Sequence, residues 1–124
     1  MRSFRRRSED QGSAAVEFAL VLPVLMIILF GIIDFGRMLN TRITLSQAAN
    51  EGARAVAVVG DDAAAGVMDA IMGSTPYTVD EIHGCDSPLD DARVTLSHAF
   101  TFTTPFVGGD DGMVLTATAV VPCL

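Results

Sequence analysis

Hydrophobic positions along the chain are concentrated in one run near its start. From Ser13 to Ile33 the sequence reads SAAVEFALVLPVLMIILFGII. As a helix rising about 1.5 Å per residue, these roughly 21 residues reach about 30 Å, the thickness of a bilayer core. Asp34 and Arg37 close the run on its far side. A cleaved secretory signal would be shorter and would end in small residues at an A-x-A site. This run ends in DFGRMLN instead, so it predicts a membrane-spanning helix.

The pattern then becomes amphipathic. No proline interrupts Arg37 to Val59, and Asn40, Thr44, Gln47, Glu51 and Arg54 recur at steps of four and three. Met38, Leu45, Ala49, Gly52, Val56 and Val59 form a second stripe, apolar and mostly small. The spacing predicts that the helix continues past the membrane to residue 59, with Glu51 and Arg54 as a surface pair. Small residues on one face let another backbone come close. That face suits either the chain's own C-terminal part or a helix of another subunit.

Gly60-Asp61-Asp62 reads as the end of this helix and the cap of the next. Ala63 to Met72 reads as a short second helix, and Gly73-Ser74-Thr75-Pro76 as a break. Tyr77 to Ile82 is a candidate strand, and Asp86 to Asp91 a turn-rich loop. Arg93 to Thr103 alternates, with Val94, Leu96, His98, Phe100 and Phe102 on one face, and predicts a strand. Val107 to Gly112 has turn chemistry, and Met113 to Val121 is the expected hairpin partner. The expected fold class is therefore α+β. It comprises a basic leader (1–12), a spanning helix with an amphipathic extension (13–59) and a small α+β domain (60–124).

Composition supports this division. Half of the residues are hydrophobic, but much of that content sits in the span. The roughly 90 remaining residues make one small domain, which gains from a staple or from partners. The net charge of −7 hides a segregation. Arg2, Arg5, Arg6 and Arg7 precede the run, whereas beyond Gly12 four arginines face thirteen acids. The basic head is a topology signal that keeps the N-terminus cytoplasmic. The acidic remainder argues against nucleic-acid binding.

Glu17 is out of place in a plain anchor, because a carboxylate near the end of a span is disfavoured by about 1–3 kcal/mol. At the headgroup level it would cost little. Its surroundings offer another explanation. A cut after Gly12 would make Ser13 the new N-terminus, with a cationic amine at the head of an apolar helix. Glu17 would then be the fifth residue, about one turn further on. In an array of such subunits each carboxylate could neutralise a neighbour's amine, since an unpaired charge in lipid is costly.

The string G-SAAVEFALVLPVLMIILFGIIDFGR, followed by TRITLSQAANEGARAVAVVG, resembles the TadE-like pseudopilins of the tight-adherence (Flp-type) pilus system. The resemblance rests on Gly12, the Glu17-Phe18 pair, Pro23, the Gly-Ile-Ile-Asp-Phe-Gly-Arg segment and the later Glu-Gly-Ala-Arg segment. It implies cleavage between Gly12 and Ser13 by a prepilin peptidase. It also implies roles for Glu17 and Phe18 in peptidase recognition and subunit registry. The implied partners are the inner membrane, other pseudopilins and the platform proteins of pilus assembly. The implied location is the bacterial inner membrane, with the N-terminus cytoplasmic and the C-terminal domain exported. A permanently anchored envelope protein that binds or senses a ligand is the alternative function.

Cys85 and Cys123 are the only cysteines. In an oxidising exterior an even pair reads as a disulfide, and in a reducing compartment as two free thiols. Closing a loop of about 38 residues would stabilise the domain by roughly 4 kcal/mol in the chain-entropy model. No metal site is expected. His83 lies near Cys85, but His98 falls on a strand without a partner motif. The pairs Asp61-Asp62, Asp90-Asp91 and Asp110-Asp111 lack the spacing of a calcium loop and read as caps and turns. No catalytic or nucleotide-binding motif is present, so neither an enzyme, a cofactor nor a small-molecule substrate is expected.

Overall fold

A computed structural model describes residues 6–104 and 112–123, with side chains from Gly12 onward. Most of the Val107–Gly112 loop, including Asp110-Asp111, lies outside the described residues, as does the start of the basic leader.

The first helix, α1, is one continuous element from Arg6 to Val58. It begins inside the expected leader and ends within a residue of the expected boundary. At 53 residues it is about 80 Å long. Pro23 lies inside it. Proline costs one backbone hydrogen bond, which spanning helices tolerate. The segment 12–33 is almost wholly exposed, while the outer half of α1 is buried on one side.

Gly60, at φ 115°, turns the chain into α2 (Asp61–Met72). Here the structure corrects the sequence reading. Asp61 and Asp62 are the first helical residues rather than caps, and the capping position is Gly60, which has no side chain to offer. Both acids lie in the first turn, where the helix dipole favours negative charge. Gly73, at φ 59°, ends the helix and donates its N–H to the Asp69 carbonyl.

Three antiparallel strands follow: β1 (Thr78–His83), β2 (Asp91–Phe100) and β3 (Met113–Pro122), in the order β1-β2-β3. The β2–β3 register runs from Asp91↔Pro122 to Phe100↔Met113. Alternation was the correct signal: Val94, Leu96 and Phe100 point inward with Leu115, Ala117 and Ala119. β2 starts two residues earlier and stops three residues earlier than expected. The chain leaves the sheet after Phe100, and Thr103 and Thr104 bond to α1 instead. β1 is irregular between Val79 and Glu81, and its residues are mostly exposed.

The core lies between α1, α2 and the inner face of the sheet. α1 contributes Leu45, Ala48, Ala49, Ala53 and Val56, and α2 contributes Ala64, Met68 and Met72. The chain's own head thus occupies the extension's small-residue face. Two stripe positions differ from expectation. Val59 lies past the end of the helix and is exposed, and Met38 is only half-buried. Ala48 and Ala53 widen the face instead, as a globular interface requires. Glu51 and Arg54 do not pair; the salt bridges among the described residues are Arg37–Asp34 and His83–Asp90.

The closest approach is at Gly52. A Cβ placed there would lie 2.9 Å from both Cγ and Sδ of Met68, which is fully buried. Gly52→Leu should therefore destabilise the head by about 1–3 kcal/mol through overpacking. Gly66, in α2, has nothing within 4 Å, so Gly66→Ala should be neutral or stabilising by up to about 1 kcal/mol. Denaturant unfolding of the detergent-solubilised chain, read by circular dichroism, measures both changes.

Candidate functional site

The exposed half of α1 carries the residues singled out in the sequence. Gly12 and Ser13 are exposed and lie inside the helix, not in a loop. The bond between them is therefore helical backbone, which a peptidase would have to unwind. Glu17 and Phe18 follow on the next turn, both exposed. The helix is long and apolar enough to cross a membrane, and its most apolar stretch buries nothing against the rest of the molecule.

At the end of the apolar run the helix is clamped. Asp34 is 2% exposed. Its carboxylate accepts the Thr103 N–H at 3.0 Å from each oxygen. Its Oδ2 also accepts the Thr104 N–H at 2.8 Å and the Thr104 hydroxyl at 2.7 Å. One turn on, the Arg37 guanidinium lies 3.4 Å from Oδ1 of Asp34 and donates to the Thr103 hydroxyl at 2.6 Å. Its other contact is the Phe100 ring, 5.6 Å from the ring centroid, and Phe100 meets Phe102 edge-on at 5.3 Å. Four side chains and two backbone amides thus fix the lower end of the head to the point where α1 leaves its apolar run. Sequence reasoning took Asp34 only as the end of the span. The available signal was the pair Asp34 and Arg37, one turn apart, together with an uncharged Thr-Phe-Thr-Thr segment (residues 101–104) at the end of a strand.

These donors set the titration of Asp34, which lies just past the apolar run. The Thr104 hydroxyl, against the opposing effect of burial, and the amides of Thr103 and Thr104 lower its pKa from 3.8 to about 2. The native state thus holds the carboxylate ionised where the unfolded chain would protonate it. The stabilisation is complete above about pH 4 and disappears as pH falls through about 2. Hydrogen exchange at Thr103 and Thr104 should therefore accelerate over that window relative to the β2–β3 ladder. Asp34→Asn should expose both amides at neutral pH and abolish the pH dependence.

At the other end of the head, Cys85 and Cys123 meet at bonding distance, with Cα atoms 5.8 Å apart. The Cys123 N–H donates to the Asp90 carbonyl at 2.9 Å, so the chain terminus is tied to the loop between β1 and β2. Peptide mapping without reductant should recover the two cysteines in one linked pair, and alkylation of both would refute the bond. The same loop brings His83 together with Asp86 and Asp90. His98 lies elsewhere, its Nδ1 against the Pro76 carbonyl. The Tyr77 hydroxyl donates to Asp69, and burial, reinforced by this carboxylate, pushes its pKa up to about 12.

No curated protein and no solved structure matches the chain. A family model does match part of it, that of "TadE-like protein", over residues 12–54. The match spans the proposed cut, the apolar run, Asp34, Arg37 and most of the packing face, and leaves α2 and the sheet outside. Residues 12–54 are therefore similar to the TadE-like family, and this likeness supports a component associated with the tight-adherence pilus system in general terms.

Proposed function

We propose that this chain is a minor pseudopilin-like component of a tight-adherence pilus or a related secretion system. It acts by helix packing in the inner membrane, with the head on the exported side. Its partners on this reading are a prepilin peptidase, other pseudopilins and the assembly platform. The chain itself catalyses nothing.

The observation that carries the proposal is Glu17. It is an exposed carboxylate within an apolar run that packs against no other part of the molecule. In lipid such a group needs a partner from outside. Cleavage after Gly12 would create one, the Ser13 amine of a neighbouring subunit. On the same helix that amine lies about 6 Å along the axis from Glu17. An axial offset of about one turn between neighbours would bring the two groups level. The head already occupies the small-residue face between Leu45 and Val56, so contacts with other subunits fall to the apolar run itself.

N-terminal sequencing of the membrane-extracted protein should find Ser13 first. Gly12→Val should leave a chain longer by the leader on a gel. Glu17→Ala should still be membrane-inserted but fail in assembly and in pilus-dependent attachment. An intact Met1 in the wild-type chain would sink the processing step, and unimpaired assembly by Glu17→Ala would sink the registry role.

A further inference from the structure

We propose that His83, Asp86 and Asp90 form a binding site for a divalent ion of the zinc class. His83 closes β1, Asp90 immediately precedes β2, and Asp86 lies in the loop between them. One ligand atom from each of the three residues lies within 4.8 Å of the other two.

The spacing of the His83–Asp90 ion pair also matches two ligands of one metal ion. His83 Nε2 and Asp90 Oδ2 are 3.4 Å apart, longer than the usual 2.7–3.2 Å of an N–H···O bond. Two ligand atoms each about 2.0–2.1 Å from a tetrahedral zinc ion lie about 3.4 Å from one another. This pair already forms one edge of such a site. Asp86 is exposed, and its carboxylate can turn toward the same point. No arginine forms a salt bridge with these acids among the described residues, although Arg93 lies directly across the ladder from His83.

The loop backbone is held independently of any ion. The Cys85–Cys123 link secures one end, and the Cys123 N–H to Asp90 carbonyl bond the other. The Asp90 N–H also reaches the Ser87 carbonyl at 3.1 Å. Donor type selects the ion. One imidazole nitrogen and two carboxylates suit a borderline cation with water in the fourth position. Calcium would require six to eight oxygens.

The test uses the full chain in detergent, untagged, with the disulfide intact and any free thiol alkylated. Calorimetric titration with zinc chloride should saturate at one ion per chain, and millimolar calcium should not compete. His83→Gln and Asp86→Asn should each weaken binding by more than about tenfold, whereas His98→Gln should not. Both substitutions are on the surface, and circular dichroism checks that the fold survives. Ring resonances of His83, not His98, should shift when zinc is added to the wild-type protein. Absence of saturable binding, or equal affinity in His83→Gln and Asp86→Asn, would overturn the proposal.

Discussion

A single carboxylate holds the two halves of this molecule in register. Asp34 is the last point at which α1 can be gripped before it becomes apolar on every side, and the head grips it there with two amides and a hydroxyl. The constraint is one of solvent. Backbone amides that leave a ladder and are shielded from water need other hydrogen-bond partners. Beyond the end of β2, the amides of Thr103 and Thr104 find theirs on Asp34. Arg37 completes the arrangement by bridging the same carboxylate to the Thr103 hydroxyl while resting against Phe100.

From that point outward, packing depends on how closely backbones can approach. The face of α1 toward the head is built from Ala48, Ala49, Gly52 and Ala53, flanked by Leu45 and Val56. Small residues let the sheet and α2 lie close against the rod, and Met68 fills the space that a side chain at position 52 would take. Such a small core buries limited apolar area. The Cys85–Cys123 link at the far end therefore complements the Asp34 clamp at the near end.

Much of this was legible in the residues. The apolar run, the change to a helical stripe and the alternation of β2 and β3 gave the element order and the fold class. What escaped were features that depend on distant parts of the chain. The Asp34 clamp joins residues roughly seventy positions apart, and the two local signals, at Asp34/Arg37 and at residues 101–104, do not by themselves say that they meet. Asp61 and Asp62 look like a cap because acids favour that position, but Gly60 supplies the positive φ that the turn needs. Glu51 and Arg54 are correctly spaced, yet helical spacing permits a surface pair without enforcing it. The grouping of His83 with Asp86 and Asp90 came from the closure of a loop.

The head is bonded to α1 at Asp34 and packed against it as far as Val56. On an α-helix one residue of axial slip is also a rotation of about 100°. For a head pinned at Asp34 and packed as far as Val56, the depth of the span and the compass bearing of the sheet are therefore one variable. Whatever fixes the axial position of α1 also decides which way the loop with the two linked cysteines faces.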